Sequence, residues 1–195
     1  MIDYPLPLIG FSAFSGTGKT TLLKKLLPIL SDKGLRIVMI KHAHHQFEID
    51  HPRKDSYELR KAGAVKTLVA SRRRMALVIE FGEDHPEPTL RETLTTLDPD
   101  GIDLVLVEGF KREDFPKIEL YRVSLGKPLL CRKDPHIIAI ASDTTLSDVP
   151  AELPQLNLNK PEDVAGFIQN YLHQFEGKKP HDPPSAKHGH QLRRS

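Results

Sequence analysis

An α/β fold, a mostly parallel sheet flanked by helices with an inserted β-hairpin, is predicted by three observations in this sequence. Apolar strand-like runs alternate with segments of helical periodicity, the pattern of a parallel sheet covered on both sides. A glycine-rich turn lies between the first apolar run and the first helix, at a strand's carboxyl end, where such sheets bind ligands. Two further apolar runs are separated only by Ser71 to Arg74, a length suited to a hairpin.

Leu6 to Ala13 is an apolar run ending in small residues, and Lys19 to Ser31 then carries Leu22, Leu23, Leu26, Leu27 and Leu30 at helical spacing. Pro28 is expected to remove one backbone hydrogen bond and kink this helix late, and Gly34 to stop it. Arg36 to Lys41 reads as a strand buried on both faces, because Ile37, Val38, Met39 and Ile40 are consecutive. After the polar loop His42 to Lys54, Asp55 with Glu58 looks like a carboxylate-capped helix start, and Gly63 its end. Val65 to Ala70 and Met75 to Phe81 are the hairpin strands. Pro86 to Asp100 holds a short helix, and Ile102 to Glu108 is a strongly apolar strand. Lys117 to Tyr121 and His136 to Ala141 are further strands. Val164, Phe167, Ile168, Tyr171 and Leu172 mark a final amphipathic helix.

A chain of 195 residues supports one good core, so residues 1–175 are expected to form one domain. From Glu176 onward apolar residues nearly vanish, and residues 176–195 read as a disordered tail. The formal charge of +2, with short basic clusters at Arg72 to Arg74 and at Arg193 and Arg194, gives no continuous stripe for nucleic acid. The single cysteine, Cys131, and the absence of a basic-then-apolar leader favour the cytoplasm. No apolar run approaches the roughly 20 residues that span a bilayer, so no membrane is expected.

Ala13-Phe14-Ser15-Gly16-Thr17-Gly18-Lys19-Thr20 fits the Walker A spacing, with Ala in place of the usual first Gly. The fold is therefore of the P-loop NTPase type, and Ser15, Gly16, Thr17, Gly18, Lys19, Thr20 and Thr21 are its phosphate-binding segment. Gly16 and Gly18 let backbone N–H groups point inward, and the helix N-terminus adds partial positive charge. Lys19 should bridge the terminal phosphates, and the Thr20 hydroxyl should take one magnesium position. Glu108, ending four consecutive apolar residues before Gly109, supplies the carboxylate that organises magnesium or water. Lys19 and Glu108 are thus the catalytic candidates, Thr20 and Glu108 the metal candidates.

Lys41-His42-Ala43-His44-His45, then Asp50, Lys54 and Asp55, follow the second strand on the rim where the phosphate loop opens. That density of titratable groups marks a binding loop. There is no thiolate pair and no regular ligand spacing, so zinc chelation is not expected. His44, His45 and His51 also fit a solvated loop.

Phe-Ser-Gly-Thr-Gly-Lys-Thr-Thr, Ile-Lys-His-Ala-His-His, Lys54 to Ala64 and Leu-Val-Glu-Gly-Phe-Lys, in that order, resemble the MobB family of molybdopterin-guanine dinucleotide biosynthesis adaptor proteins. The resemblance runs from about Leu8 to Leu172. It implies a GTP- and Mg2+-binding, weakly hydrolysing, homodimeric protein that assists a guanylyltransferase of the MobA type in attaching GMP to molybdopterin. By position it maps phosphate and magnesium roles onto Gly16, Gly18, Lys19, Thr20, Thr21 and Glu108. Lys41, His42, Asp50 and Asp55 fall in the loop expected near nucleotide or pterin. Arg53 stands where the family leads one to expect Gly, so the loop backbone is expected to differ there.

For the base, Asn159-Lys160-Pro161-Glu162 is similar to the guanine-reading Asn-Lys-x-Asp motif, with Glu in place of Asp. It also reads as a helix start, Asn159 capping and Pro161 in the first turn. Asp143, closing a late strand, is the preferred base contact, and it too could be a turn cap. The hairpin strands are apolar on both alternating faces and want cover, which predicts a homodimer built partly through them. Arg72 to Arg74 at its tip read as a solvated turn, with a phosphate lid as the other reading. The alternative to an adaptor is a small-molecule kinase on the same scaffold; a module that binds without hydrolysis is a third reading.

Overall fold

The computed structural model describes residues 2–43, 47–82 and 84–176. In chain order its regular elements are β1 (Leu8–Ala13), α1 (Lys19–Asp32), β2 (Ile37–Lys41), α2 (Asp55–Lys61), β3 (Lys66–Ala70), β4 (Met75–Ile79), α3 (Leu90–Thr95), β5 (Leu104–Glu108), β6 (Lys117–Tyr121), β7 (Ile137–Ser142), β8 (Gln155–Asn157) and α4 (Pro161–Glu176). Six strands form one sheet in the order β2-β5-β1-β6-β7-β8. Every neighbouring pair in it is parallel. β3 and β4 pair antiparallel as a separate two-stranded hairpin.

The central strands are apolar on successive residues because both faces of the sheet are covered. Leu104 and Leu106 of β5 face one core, with Leu22, Leu23, Leu26 and Leu30 of α1 and Val164, Ala165 and Ile168 of α4. Val105 and Val107 face the other, with Leu90 and Leu94 of α3 and Phe115. Each buried leucine of α1 contributes roughly 2 kcal/mol over its exposed state, so tertiary packing fixes this helix. α1 runs through Pro28 to Asp32, and Gly34 follows in the left-handed conformation (φ 86), with its amide on the Ser31 carbonyl.

Several local readings are corrected. β2 is the sheet's edge strand, so Ile37, Val38 and Met39 are only half-buried instead of covered on both faces. α2 has Lys54 at its N-cap, with no side-chain cap bond; Asp55 lies inside the first turn. α3 is the helix with a reciprocal capping box: Thr89 Oγ1 accepts from the Glu92 amide at 3.1 Å, and Glu92 Oε2 accepts from the Thr89 amide at 2.8 Å. β8, three residues long, is too short for alternation to reveal. α4 extends through Glu176, and the rest of the expected tail, residues 177–195, lies outside the described residues, as do His44 and His45. Among the described residues no helix is long and apolar enough to cross a membrane.

Candidate nucleotide site

β1 sits at the middle of the sheet and delivers the chain at Ala13 into a tight loop. Thr17 is buried and closes it, its Oγ1 donating to the Phe14 carbonyl at 2.8 Å. Thr17 therefore shapes the backbone through its side chain. Gly16 (φ 84) and Gly18 (φ 95) hold the left-handed backbone that lets the chain turn this tightly. Gly18 is the N-cap of the 14-residue α1, which has no side-chain cap and no acidic residue in its first turn. The helix's first amides and positive end thus face the loop with no carboxylate from the helix's own first turn competing. Ser15, Thr20 and Thr21 are exposed at the rim.

Lys41 and Glu108 are register partners at the ends of β2 and β5. Glu108 is largely buried, with Oε1 3.5 Å from Lys19 Nζ and Oε2 3.4 Å from Lys41 Nζ. Three of the sequence-selected residues, Lys19, Lys41 and Glu108, therefore meet. His42 stacks on Phe110 (centroids 4.3 Å apart, 18° between planes) and its Nε2 lies 2.7 Å from Glu87 Oε1. It lines a cavity of about 480 Å³ with Thr89, Phe110, Lys111 and Arg112.

Asp50 is engaged elsewhere: it accepts from Arg60 Nη2 at 2.7 Å, and Arg60 also pairs with Glu48 and, at 2.5 Å, with Glu80. Arg60 is buried among these carboxylates, and its hydrogen bonds raise its own pKa while drawing the carboxyls of Glu48 and Asp50 below their ordinary values. Carboxyl pKa values depressed on folding give stability that is full above the ordinary range, about pH 4 to 4.5, and lost as pH falls through the lower folded values. Acid should therefore loosen residues 47–61 before the sheet. In Arg60→Met the acid-dependent rise in amide exchange there should disappear; an unchanged pH profile would refute the assignment. Arg53 holds φ 73, a left-handed backbone that glycine adopts freely and other residues seldom do.

The opposite flank of the loop is organised by Arg122, just after β6. Its Nε donates to the Thr17 carbonyl at 2.9 Å, Nη2 to Asn159 Oδ1 at 3.1 Å, and Nη1 to Asp143 Oδ2 at 3.3 Å. Asn159 thus faces Arg122, and α4 starts at Pro161. A cavity of about 240 Å³ lies here, lined by Gly18, Thr21, Arg122 and Asn159 among others. Lys19, Lys41 and Glu108 thus lie on the β2–β5 side of Gly18, and Arg122, Asp143 and Asn159 on the other.

No group of three or more His, Cys, Asp or Glu side chains among the described residues could hold a metal alone. A magnesium ion held by Thr20 and Glu108 would need phosphate oxygens to complete its shell, the usual mode for this cation.

The model of the family described as "Molybdopterin guanine dinucleotide synthesis protein B" matches residues 8–143. The chain belongs to the MobB family. It is 46% identical over 173 residues to the molybdopterin-guanine dinucleotide biosynthesis adapter protein of Escherichia coli, covering 88% of this chain and 97% of that protein. To the protein of the same name from Haemophilus influenzae it is 38% identical, over 89% of this chain and 94% of that one. In three dimensions it resembles Bacillus subtilis MobB, with a TM-score of 0.63 at 26% identity, covering 85% of this chain and 97% of that one. A second MobB structure superposes with a TM-score of 0.64 at 23% identity, over 84% and 99% of the two chains.

Two residues to which the sequence assigned no role join the site, one of them, Lys111, the last residue of the Leu-Val-Glu-Gly-Phe-Lys motif. Arg122 and Lys111, whose Nζ donates to the Ala13 carbonyl at 2.7 Å, both touch the phosphate loop. Each directly follows a strand end or its exit turn at the ligand edge of the sheet, which is the signal that could have singled them out.

Proposed function

We propose that this chain is a GTP-binding adapter of molybdopterin guanine dinucleotide biosynthesis, acting in the cytoplasm beside a MobA-type guanylyltransferase and molybdopterin. One observation carries the reading: an uncapped helix N-terminus, two left-handed glycines and Lys19 follow one another at the carboxyl end of β1 in a MobB-family chain. That arrangement fits the polyphosphate of a nucleotide, with Thr20 and Glu108 completing the shell of a phosphate-held magnesium ion. Asp143 takes the base side, and Lys41 and His42 border the terminal phosphate. Asp50, bonded to Arg60, and Asp55, in the first turn of α2, stand in the segment that follows β2 toward nucleotide or pterin. Hydrolysis is weak in this reading: when Lys19 turns to the phosphate, Glu108 Oε1, now 3.5 Å from it, is taken up by the magnesium shell, and Oε2 stays with Lys41. Residues 1–175 act as one domain.

The test is calorimetry with GTP and ATP in Mg2+, followed by phosphate release with and without small-molecule acceptors. Saturable GTP binding with slow release supports the adapter. Rapid acceptor-dependent transfer would make the chain a kinase, and no binding of either nucleotide would end the reading.

The same proposal includes a homodimer. Leu68 and Leu77 oppose each other across the hairpin, and with Met75 and Val65 they are more than half exposed. Neighbouring Val69 and Ala76 place apolar surface on the other face. A two-stranded ribbon of this kind is marginal alone and wants cover. Leu68→Glu/Leu77→Glu should shift the sedimenting species at micromolar concentration from dimer to monomer. A monomeric parent chain would overturn this part.

A further inference from the structure

Glu108 is followed by two consecutive left-handed residues, Gly109 at φ 102 and Phe110 at φ 49. A bulky side chain at positive φ is unfavourable and persists only where its surroundings impose it. Here Phe110 is buried and stacked against His42. The consequence of the turn is the placement of the next side chain. Lys111 is brought back over the phosphate loop, where its Nζ donates to the carbonyl of Ala13, the loop's first residue. Burial lowers its pKa, and the nearby charge of Lys19 lowers it further.

Crowding a second ammonium toward Lys19 is unfavourable unless an anion is shared between them. Glu108 does not fill that role, because its oxygens face Lys19 and Lys41. The partner seen for Lys111 is a neutral carbonyl. Lys111 also approaches from the β5 side, the side of Glu108, where magnesium and the last phosphate of a nucleotide belong. The base side, marked by Arg122, Asp143 and Asn159, is across the loop.

We propose that Lys111 is a second phosphate-binding lysine, which contacts the terminal phosphate of a nucleoside triphosphate and reports its presence to the turn at residues 109–112. The inference rests on the nucleotide-binding reading above. It gives that reading a means of distinguishing tri- from diphosphate: Lys111 and Phe110 also wall the 480 Å³ cavity beside His42, so exchanging Ala13 for a phosphate reshapes that cavity too.

The test uses the full chain in Mg2+ with GTP and GDP as separate titrants, comparing the parent with Lys111→Met and Lys111→Arg. Lys111→Met should weaken GTP by about 10- to 100-fold, the value of one charge-assisted hydrogen bond, while leaving GDP nearly unchanged. Lys111→Arg should recover part of the loss. In the parent chain GTP, and not GDP, should slow amide exchange at residues 109–112, a measurement that needs no variant. Equal losses for both nucleotides would make Lys111 a mere support of the loop and overturn the inference. A parent chain that binds neither would overturn the nucleotide reading itself.

Discussion

Lys19→Ala should abolish measurable GTP binding while the protein stays folded. The side chain brings the only ammonium that belongs to the Walker A segment itself, and its Nζ sits 3.5 Å from Glu108 at the loop's inner side. Against a phosphate it supplies one or two charge-assisted hydrogen bonds of about 1.5–3 kcal/mol each, a loss of roughly 100-fold or more in affinity. The fold does not depend on it, because α1 is anchored by Leu22, Leu23, Leu26 and Leu30. Lys41→Ala is the matched control. It removes the other ammonium at Glu108 from a side chain that is mostly exposed, and should weaken GTP only slightly. Calorimetry gives the affinity and circular dichroism the fold. Undiminished binding in Lys19→Ala would mean that the polyphosphate lies elsewhere.

The phosphate loop was legible because its determinants are contiguous. Two glycines, a lysine and a threonine between an apolar run and a leucine-rich helix specify both the backbone and the charge that a phosphate needs. Glu108 was legible for a related reason: a carboxylate that ends a buried apolar strand is costly to desolvate unless a cation faces it. Arg122 was not, since its contact with Thr17 spans 105 positions and depends on β6 lying beside β1. The same holds for Arg60, whose exposed-looking place on a short helix gives no hint that Glu48, Asp50 and Glu80 close around it. Asp50 was expected near nucleotide or pterin from its place after β2, and nothing local in the sequence announced its bond to Arg60. Strand order was equally hidden. The apolar run of β2 reads like that of β5, yet one is an edge and the other is covered by strands on both sides.

Gly109→Ala should cost more stability than any other single methyl placed at the nucleotide site. A Cβ there would lie 2.5 Å from His42 Cβ and 3.4 Å from His42 Cα, and the residue holds φ 102. The obstacle is the root of the neighbouring side chain, so no rotamer change relieves it. The backbone must move, and the contact it would break is the His42 amide donating to the Glu108 carbonyl at 2.8 Å. Overpacking and an imposed positive φ each cost about 1–3 kcal/mol, which together give a melting temperature lower by roughly 5–15 °C for a chain of this size. Gly126→Ala separates the two effects: φ is 56 there, but no atom lies within 4 Å of the added methyl, so only the backbone penalty of about 1 kcal/mol remains. Because Glu108 is the residue before the clash, Gly109→Ala should also displace its carboxylate from Lys19 and weaken GTP, whereas Gly126→Ala should not. A variant as stable as the parent would show that β2 and the exit of β5 are not held as closely as the His42–Gly109 contact requires.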